Sequence, residues 1–338
     1  MAGRGTENLH CPLRPSGRQA KLPQHTSASE SLVTPNIAGA SHHQDQPMEI
    51  FEATVQSTHH LSPTLKRLRF GVHGFTSTGI GDEYVRLFFP HTKDRNLLSL
   101  PVADGDSWRT VEGQPDAPMR TYTIREAGDG WIEIDFVVHD GGIAAAWALD
   151  AQVGDRIGLN SPTGLYECPP DATSQVLICD LTGLPAAVRI AELSDARMRT
   201  ELVVEIPDDS SRLDLSHVPQ LVVQWIVAGN GVAPSVLPQV ARKAVEQLVD
   251  GEPRPYVWVA GQSAALREIR KMLHRELRWP NTQYKVIGYW VEQAEKWRER
   301  WDALDASTKS SLDALWDSFE DKDEALIAYE SELARLGL

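Results

Sequence analysis

An arginine, a tyrosine and a threonine lie close together in the segment MRTYTIR, and their types and spacing could bind a cofactor. The segment alternates as a β-strand does, so Arg120 and Tyr122 point to one face and Thr123 to the other. The guanidinium could bind a phosphate through charge-assisted hydrogen bonds. The phenol ring could stack on a planar ring system, with the threonine hydroxyl as a hydrogen-bond partner beside it. A salt bridge from Arg120 to a nearby carboxylate would explain the same pattern without a ligand.

A pair of glycines follows about 20 residues later in HDGGIAAAWALDA, directly before a short run that is typical of a helix. The free N–H groups at the start of a helix bind pyrophosphate well. Gly141 and Gly142 could also form nothing more than a turn. Either motif alone favours the interpretation without a ligand, whereas both motifs within one β-rich segment favour a flavin.

Four segments differ in composition and pattern. Residues 1–47 are rich in Gly, Pro, Ser, His and Gln and lack apolar periodicity, which predicts disorder. Residues 48–170 contain short alternating stretches between Gly, Asp and Pro turns, which predict a six-stranded antiparallel β-barrel. Residues 171–291 alternate apolar strands with helices, which predicts a doubly wound parallel α/β domain. Residues 292–338 predict one or two C-terminal helices with a packing stripe of Trp297, Trp301, Leu304, Leu333 and Leu336.

Composition narrows the class of protein. A net charge of −14 over 338 residues argues against a nucleic-acid-binding protein, because binding to phosphates needs a basic surface. The sequence has no apolar run near the roughly 20 residues of a membrane helix, so we expect no membrane insertion. Cys11, Cys168 and Cys179 show no metal-binding spacing, which predicts a reduced cytoplasmic protein without a metal site.

In their order and spacing, the motifs of residues 48–291 resemble those of the siderophore-interacting proteins, a family of FAD-binding ferric-siderophore reductases within the ferredoxin-reductase-like superfamily. The family pattern Arg-x-Tyr-Ser/Thr is similar to the segment with Arg120, Tyr122 and Thr123. The later segment VGDRIGLNSPTG is similar to the family's Pro-Gly-Asp-x-x-x-x-x-Gly-Pro-x-Gly. The resemblance implies that the first domain binds FAD through the arginine, the tyrosine and the threonine.

The segment DFVVHDGGIAAAW resembles the family's Asp-x-x-Val-x-His pattern and the Gly-Pro-Ala-Ser-x-Trp loop that follows it. The resemblance therefore adds further FAD-binding residues, namely Val138, His139, Gly142, Ala144, Ala145, Ala146 and Trp147. Ala145 stands where the family usually has Ser. Backbone N–H groups are therefore expected to replace one hydroxyl contact to the pyrophosphate.

Two segments of the second domain resemble family motifs that face a pyridine nucleotide. DLTGLPAAVRI is similar to Asp-Glu-Thr-Ala-Leu-Pro-Ala, and YVWVAGQ to Tyr-Val-Trp-Val-Ala-Gly-Glu. The resemblance implies a nucleotide site with Asp180, Thr182, Gly261 and Gln262. Three family charges are absent, because Leu181 and Gln262 replace Glu and Val291 replaces Arg.

The loop DDSSR follows the second strand of this domain, where doubly wound folds bind the adenosine ribose. Ser210 and Arg212 could hold a 2′-phosphate and favour NADPH over NADH as the electron donor. Asp208 and Asp209 would repel that phosphate, and a solvated loop explains the segment equally well.

The segment GNGVAPSV resembles the Gly-x-Gly-x-x-Pro turn with which many ferredoxin-reductase relatives bind NAD(P). In the wider superfamily that turn follows the first strand of the domain, whereas this one follows the third. We therefore predict an ordinary strand-to-helix loop over residues 229–236, with nucleotide contact as the alternative.

The resemblance implies electron transfer from NADPH or NADH through FAD to a ferric siderophore. Ferric siderophores are often anionic, and Arg267, Arg270 and Lys271 share a helix face that could form a basic rim. A solvated helix face is the alternative for these residues. Other functions stay open: a general flavin or ferric reductase, an electron-transfer component whose partner is a ferredoxin, or a siderophore-binding protein without activity.

Overall fold

The computed structural model describes residues 6–7, 48–91, 97–139, 141–248 and 254–338. In chain order, the strands are β1 (Thr6–Glu7), β2 (Ile50–Ser62), β3 (Leu65–Val72), β4 (Tyr84–Phe88), β5 (Val102–Asp104), β6 (Ser107–Arg109), β7 (Met119–Thr123), β8 (Glu126–Gly128), β9 (Trp131–Val137), β10 (Arg156–Asn160), β11 (Ser174–Cys179), β12 (Arg199–Ile206), β13 (Leu221–Val227), β14 (Tyr256–Gln262) and β15 (Tyr284–Glu292). The α-helices are α1 (Ile143–Asp150), α2 (Leu184–Leu193), α3 (Leu237–Leu248), α4 (Ser263–Lys271), α5 (Ala294–Asp302), α6 (Ala306–Leu315) and α7 (Lys322–Arg335).

The first domain is built on an antiparallel sheet with the strand order β7-β4-β10-β2-β3-β9-β8. This order confirms the predicted antiparallel architecture, although the sheet has seven strands where six were predicted. The extra strand arises because MRTYTIREA is not one strand. After Thr123 the backbone leaves β4, and the Arg125 N–H donates to the Glu133 carbonyl on β9 at 2.8 Å. Because β7 pairs with β4 and β8 pairs with β9, the sheet curves around its apolar core.

Alternating apolar side chains fill the inside of this sheet. Phe70, Ile134 and Phe136 are fully buried, and α1 adds Trp147 to the same cluster. The Trp147 ring is nearly parallel to the Phe70 ring, with the centroids 6.3 Å apart and an interplanar angle of 11°. The short helix is thus fixed to the barrel by its aromatic side chain, which positions the glycines in front of it.

The second domain is a parallel sheet covered on both faces, as predicted. The parallel strands follow the order β15-β14-β11-β12-β13, and each of their pairings is parallel. Helix α2 packs against one apolar face of the sheet, and α3 and α4 pack against the other. The carboxyl ends of β11, β14 and β15 meet at one edge, where doubly wound sheets bind ligands.

The outer edge of β15 pairs antiparallel with β1, through Thr6 with Glu292 and Glu7 with Val291. These two residues therefore differ from the predicted disorder of segment 1–47, and the rest of that segment lies outside the described residues. An exposed strand edge offers unpaired backbone groups, which explains why a short polar segment can add to it.

The C-terminal segment forms three helices, α5 to α7, where one or two were predicted. Trp297, Trp301, Leu304, Leu333 and Leu336 all belong to the cluster between these helices, so the predicted packing stripe is observed. A buried ion pair attaches the helices to the second domain. The Arg270 guanidinium on α4 donates to both carboxylate oxygens of Glu330 on α7, at 2.6 and 2.5 Å. In the part of the chain that the structure describes, no helix has the length and apolar character needed to span a membrane.

The two domains are joined through α2. The Arg189 guanidinium donates to the Glu83 carboxylate and to the Ile124 carbonyl of the barrel, both at 2.6 Å. Neither side chain is more than 8% exposed. Asp82 adds a second link, because its carboxylate accepts from the Trp258 indole of β14 at 3.0 Å. Burial raises the pKa of the Asp82 carboxyl. These buried contacts fix how the barrel lies on the parallel sheet.

A more exposed ion pair between the domains predicts a pH dependence of stability. The Arg125 guanidinium donates to both oxygens of Glu192 at 2.7 and 2.6 Å, and His217 lies 3.0 Å from the same carboxylate. Burial raises the pKa of Glu192, but the hydrogen bonds and charges of Arg125 and His217 outweigh burial and hold it below 4.5. The stabilisation is therefore fully present above that value and is lost as the pH falls through the folded-state pKa.

We expect the wild type to lose about 0.5–1 kcal/mol more than Glu192→Gln between about pH 6 and about pH 3. Urea unfolding at both pH values measures the difference. Parallel stability curves for the two proteins would contradict the assignment.

Candidate functional site

The strand with the arginine and the tyrosine is β7, and its inner face is as predicted. Arg120 and Tyr122 are 6% and 8% exposed and point to the same side of the sheet. The Arg120 guanidinium donates to the Met119 carbonyl at 2.7 Å. The centroids of the Tyr122 and Phe136 rings are 4.4 Å apart, with an interplanar angle of 39°. This contact holds the phenol at the edge of the barrel core. Thr123 ends the strand, and its buried hydroxyl oxygen forms no short hydrogen bond among the described residues, although the Tyr289 phenol of the second domain lies close enough to interact with it.

A cleft opens between the barrel and the second domain at this strand. Its barrel wall includes Tyr122 and Thr123, and Tyr84 from the neighbouring strand β4 also lines it. Its other wall is formed by Thr182, Pro185 and Tyr289 of the second domain. Both walls are needed to form the cleft, so a group bound here would touch both domains. Burial raises the pKa of the Tyr289 phenol well above 10, so this phenol stays neutral.

The sequence did not single out Tyr84, Pro185 or Tyr289 as site residues. Pro185 lies within the motif DLTGLPAAVRI, and Tyr289 lies on the last strand of the parallel sheet, but neither pattern says which side chain faces the barrel. For Tyr84 the available signal is its place in the alternating strand YVRLF, opposite Thr123 in the pairing of β4 with β7.

The glycine pair before α1 has a backbone that favours glycine. Gly141 and Gly142 have φ angles of 99° and 77°, which side chains with a Cβ rarely adopt. Helix α1 begins at Ile143 without a side-chain cap, so its first N–H groups are not bound by a capping side chain. Ala144, Ala145 and Trp147 are buried, whereas Ala146 is exposed and His139 is partly exposed. Val138 is held to the barrel by its N–H, which donates to the Thr64 carbonyl at 2.9 Å.

Asp180 and Thr182 meet Gln262 at the carboxyl edge of the parallel sheet. The buried Asp180 carboxylate accepts from the Thr182 N–H and hydroxyl, the Gln262 N–H and the Trp290 indole, at 2.9, 2.6, 2.9 and 2.6 Å. A Cβ on Gly261 would lie 2.6 Å from this carboxylate, which explains the glycine. Burial raises the pKa of the Asp180 carboxyl above its ordinary value, and the four hydrogen bonds offset only part of that rise. The carboxylate therefore holds three strand ends in place.

Asp180→Asn tests this role of the carboxylate. The asparagine amide group is itself a donor, so it would face N–H and O–H donors that then lack an acceptor. We expect a loss of about 1–3 kcal/mol in the free energy of unfolding. Urea denaturation followed by tryptophan fluorescence measures it. Asp171→Asn, at an exposed position, is the control and should change stability by less than about 0.5 kcal/mol.

The loop with Ser210 and Arg212 is well ordered by its own side chains. Asp208 accepts from the Ser210 N–H at 2.8 Å, and Arg212 pairs with Asp209 at 2.6 Å. Between them, the fully buried Ser211 accepts a hydrogen bond from the Thr64 hydroxyl of the barrel at 2.8 Å. Part of the loop therefore joins the domains, while Ser210 and Arg212 stay at the surface.

Two cations of the predicted basic face of α4 form contacts within the protein. Arg270 is 3% exposed and pairs with Glu330, and the Arg267 guanidinium donates to the Leu338 carbonyl at 3.1 Å. Lys271 is partly exposed at the end of α4, which runs away from the cleft after Gln262. Spacing shows that three cations share a face, but it does not show what that face packs against. Here Arg267 and Arg270 contact the C-terminal segment, which argues against an exposed basic rim.

The fold and the cleft define the class: a two-domain protein with an antiparallel barrel in front of a parallel α/β domain and a cleft between them. Residues 54–166 match the siderophore-interacting FAD-binding domain, and residues 172–293 match the siderophore-interacting protein domain. The ferric vibriobactin reductase ViuB of Vibrio cholerae is 32% identical over 212 residues, which cover 61% of this chain and 76% of that protein. The chain belongs to the siderophore-interacting protein family.

Two further relatives cover more of the chain. The NADPH-dependent ferric-chelate reductase of Escherichia coli is 27% identical over 246 residues, which cover 71% of this chain and 92% of that protein. The crystal structure of a siderophore utilization protein from T. fusca is 30% identical with a TM-score of 0.63, and the match covers 73% of this chain and 95% of that one. The family that the motifs of the sequence resemble is therefore confirmed.

Proposed function

We propose that this protein is an FAD-dependent reductase that takes electrons from NADPH and delivers them to Fe(III) held by a siderophore. The observation that carries the proposal is the cleft between Tyr122 and Thr123 on the barrel and Thr182 on the second domain. The relatives named as ferric vibriobactin reductase and NADPH-dependent ferric-chelate reductase support the substrate class and the donor. We place the reaction in the cytoplasm.

The residues of the barrel fit FAD. The buried Thr123 hydroxyl forms no short hydrogen bond among the described residues and lies near the Tyr289 phenol, so a ligand atom in the cleft could bond to it. Tyr122 presents a fixed aromatic ring beside that hydroxyl, and Arg120 supplies a buried positive charge on the same strand. The glycine loop and α1 supply N–H groups for a pyrophosphate. The remaining proposed contacts are Val138, His139, Gly142, Ala144, Ala145, Ala146 and Trp147.

FAD, when bound, supplies the change from two-electron transfer with a nicotinamide to one-electron transfer with iron. The chain needs no acid–base residue for this task, and we assign no catalytic side chain. Its residues hold the ligand rings and exclude water from the cleft. The domain contacts of Arg189 and Asp82 keep the two walls at a fixed separation.

We assign the donor to the carboxyl edge of the parallel sheet, around Asp180, Thr182, Gly261 and Gln262. Asp180 acts there by shaping the turn, since its oxygens accept four hydrogen bonds from the chain itself. The surface residues Ser210 and Arg212 are the proposed contacts of a 2′-phosphate. Arg212 pairs with the Asp209 carboxylate. To bind NADPH, its guanidinium would have to leave that carboxylate and pair with the 2′-phosphate instead.

Reduction releases the metal because Fe(II) is bound less tightly than Fe(III) by hard oxygen ligands. The ferric siderophore must bring its iron close to the cleft, and it is the substrate rather than a resident metal. Of the predicted rim, Arg270 is buried, whereas Lys271 and Arg267 are partly exposed, with Arg267 donating to the Leu338 carbonyl of the C-terminal segment.

Anaerobic reduction tests the function. The purified protein should show flavin absorbance that NADPH bleaches faster than NADH, and a ferric siderophore should restore it while a chelator traps Fe(II). Reoxidation by simple ferric chelates at the same rate would indicate a general ferric reductase. Bleaching by reduced ferredoxin but by neither nucleotide would contradict the proposed donor. A protein that binds ferric siderophores without any bleaching would be a binding protein.

A further inference from the structure

The glycine-rich turn of residues 229–236 has the backbone of a phosphate-binding turn. It follows β13 and leads into α3. Gly229, Asn230 and Gly231 have φ angles of 61°, 57° and 74°, so the chain reverses tightly in front of the helix. Turns of this kind, with N–H groups in front of a helix, commonly bind phosphates. The function proposed above does not use this turn.

A carboxylate of the chain itself occupies the inside of the turn. Glu205, on β12, is 1% exposed. One of its oxygens accepts from the Val236 N–H, and the other accepts from the Ser235 hydroxyl at 2.9 Å. A Cβ on Gly229 would lie 2.1 Å from the second oxygen, so the turn wraps around the carboxylate more closely than any other residue at 229 allows.

Several other donors of the turn also have acceptors within the chain. The N–H groups of Val232 and Ala233 donate to the Gly229 carbonyl at 3.1 and 3.2 Å, and the Gly229 N–H donates to the Pro234 carbonyl at 3.3 Å. The Leu237 N–H, at the start of α3, donates to the Ser235 hydroxyl at 3.2 Å. These donors are thus satisfied without a ligand.

The closed turn is also connected to the proposed nucleotide site. The Asn230 side chain accepts from the Leu181 N–H at 3.0 Å and donates to the Ala228 carbonyl at 3.0 Å. Leu181 follows Asp180 directly, so the turn supports the segment that faces the cleft. This support depends on the turn keeping its closed form.

We propose that Glu205 is a specificity-determining residue whose carboxylate takes the place of a phosphate in this turn and keeps the phosphates of the pyridine nucleotide out of it. A phosphate brought to the Val236 N–H and the Ser235 hydroxyl would meet a buried negative charge a few ångströms away, where water screens poorly. The nucleotide therefore binds at the Asp180 turn of the same sheet edge. This last step rests on the proposed function, whereas the exclusion of phosphate does not.

Binding of inorganic pyrophosphate to the full chain tests the proposal, with isothermal titration calorimetry as the measurement. Glu205→Ala removes both the charge and the occupying group and should bind pyrophosphate about tenfold more tightly than the wild type. Glu205→Gln keeps an acceptor for the Val236 N–H and removes only the charge, so we expect a gain of about threefold. Glu201→Gln, at an exposed position on the same strand, is the control for net charge and should match the wild type.

Equal affinity in the wild type and both Glu205 variants would overturn the proposal, and so would tighter binding by the wild type. If Glu205→Ala does not fold, Glu205→Gln decides: tighter binding supports the exclusion of phosphate, and unchanged binding overturns it. A purely structural role of Glu205 would lower stability without creating a gain in anion binding. The titration needs no electron transfer, so its failure is distinct from a failure of NADPH to bleach the wild-type flavin.

Discussion

Arg120→Ala is expected to weaken FAD binding about ten- to hundredfold, because a charge-assisted hydrogen bond to phosphate contributes about 1.5–3 kcal/mol. Arg120 is 6% exposed on the strand that carries Tyr122 and Thr123, so its charge lies where water screens poorly. Flavin occupancy after purification and titration of the apoprotein with FAD measure the loss. Far-ultraviolet circular dichroism should remain unchanged, because the barrel core lies mainly on other strands.

Arg156→Ala is the matched control for this experiment. Arg156 also lies on a barrel strand, but its side chain is 52% exposed and pairs with Glu52 at the surface. This variant should keep full flavin occupancy. If Arg120→Ala also keeps full occupancy, Arg120 is only structural and the proposed FAD site is wrong at this residue.

Arg189→Met is expected to destabilise the protein by about 3–5 kcal/mol, since it leaves the Glu83 carboxylate buried without its charge partner. Glu83 is fully buried and also accepts from the Thr78 N–H and hydroxyl, both at 2.6 Å, so it cannot turn towards water. Urea unfolding measures the loss. NADPH should also bleach the flavin of this variant more slowly. The Arg189–Glu83 pair joins the two domains, and each domain forms one wall of the cleft.

A second substitution separates charge from packing. Adding Glu83→Gln to Arg189→Met should recover part of the lost stability, because the unpaired charge causes most of the cost. Arg197→Met is the control, since Arg197 is 91% exposed in its pair with Asp195 and such pairs contribute little. Equal unfolding midpoints for Arg189→Met and the wild type would contradict the assigned role.

The two-domain fold could be predicted from the sequence because its signals are local. Short alternating segments indicated the antiparallel sheet, and continuous Val, Ile and Leu strands separated by helices indicated the parallel one. The seventh antiparallel strand was missed because the change of partner after Thr123 depends on Glu83 and Glu133, which the local pattern of β7 does not contain. Strand boundaries of this kind are set by which strands pair with each other, and not by the β-propensity of the local sequence.

The candidate site could be predicted where a motif carries its own geometry. The alternation of β7 placed Arg120 and Tyr122 on one face, and the glycine pair indicated the turn before α1. The basic face of α4 could not be assigned in this way, because Glu330 lies 60 residues beyond Arg270. The role of Asp180 could not be predicted either, because it depends on three strand ends that meet only in the fold. One of its donors, Trp290, lies 110 residues away in the sequence. Buried polar partners are chosen by the tertiary fold, which short-range patterns do not report.

The ion pair between Arg270 and Glu330 also sets an order of events during synthesis. The barrel lies wholly before residue 171, so its strands can pair while later residues are still being translated. The last strand of the second domain, β15, ends at Glu292, and Arg270 is then still without the carboxylate that pairs with it. Until α7 leaves the ribosome, the Arg270 guanidinium keeps its hydrogen bond to the Val286 carbonyl, while the surface of α4 that α7 covers faces water. Truncated chains that end before Glu330 should therefore unfold more easily than the full chain, although the parallel strands of the second domain are complete.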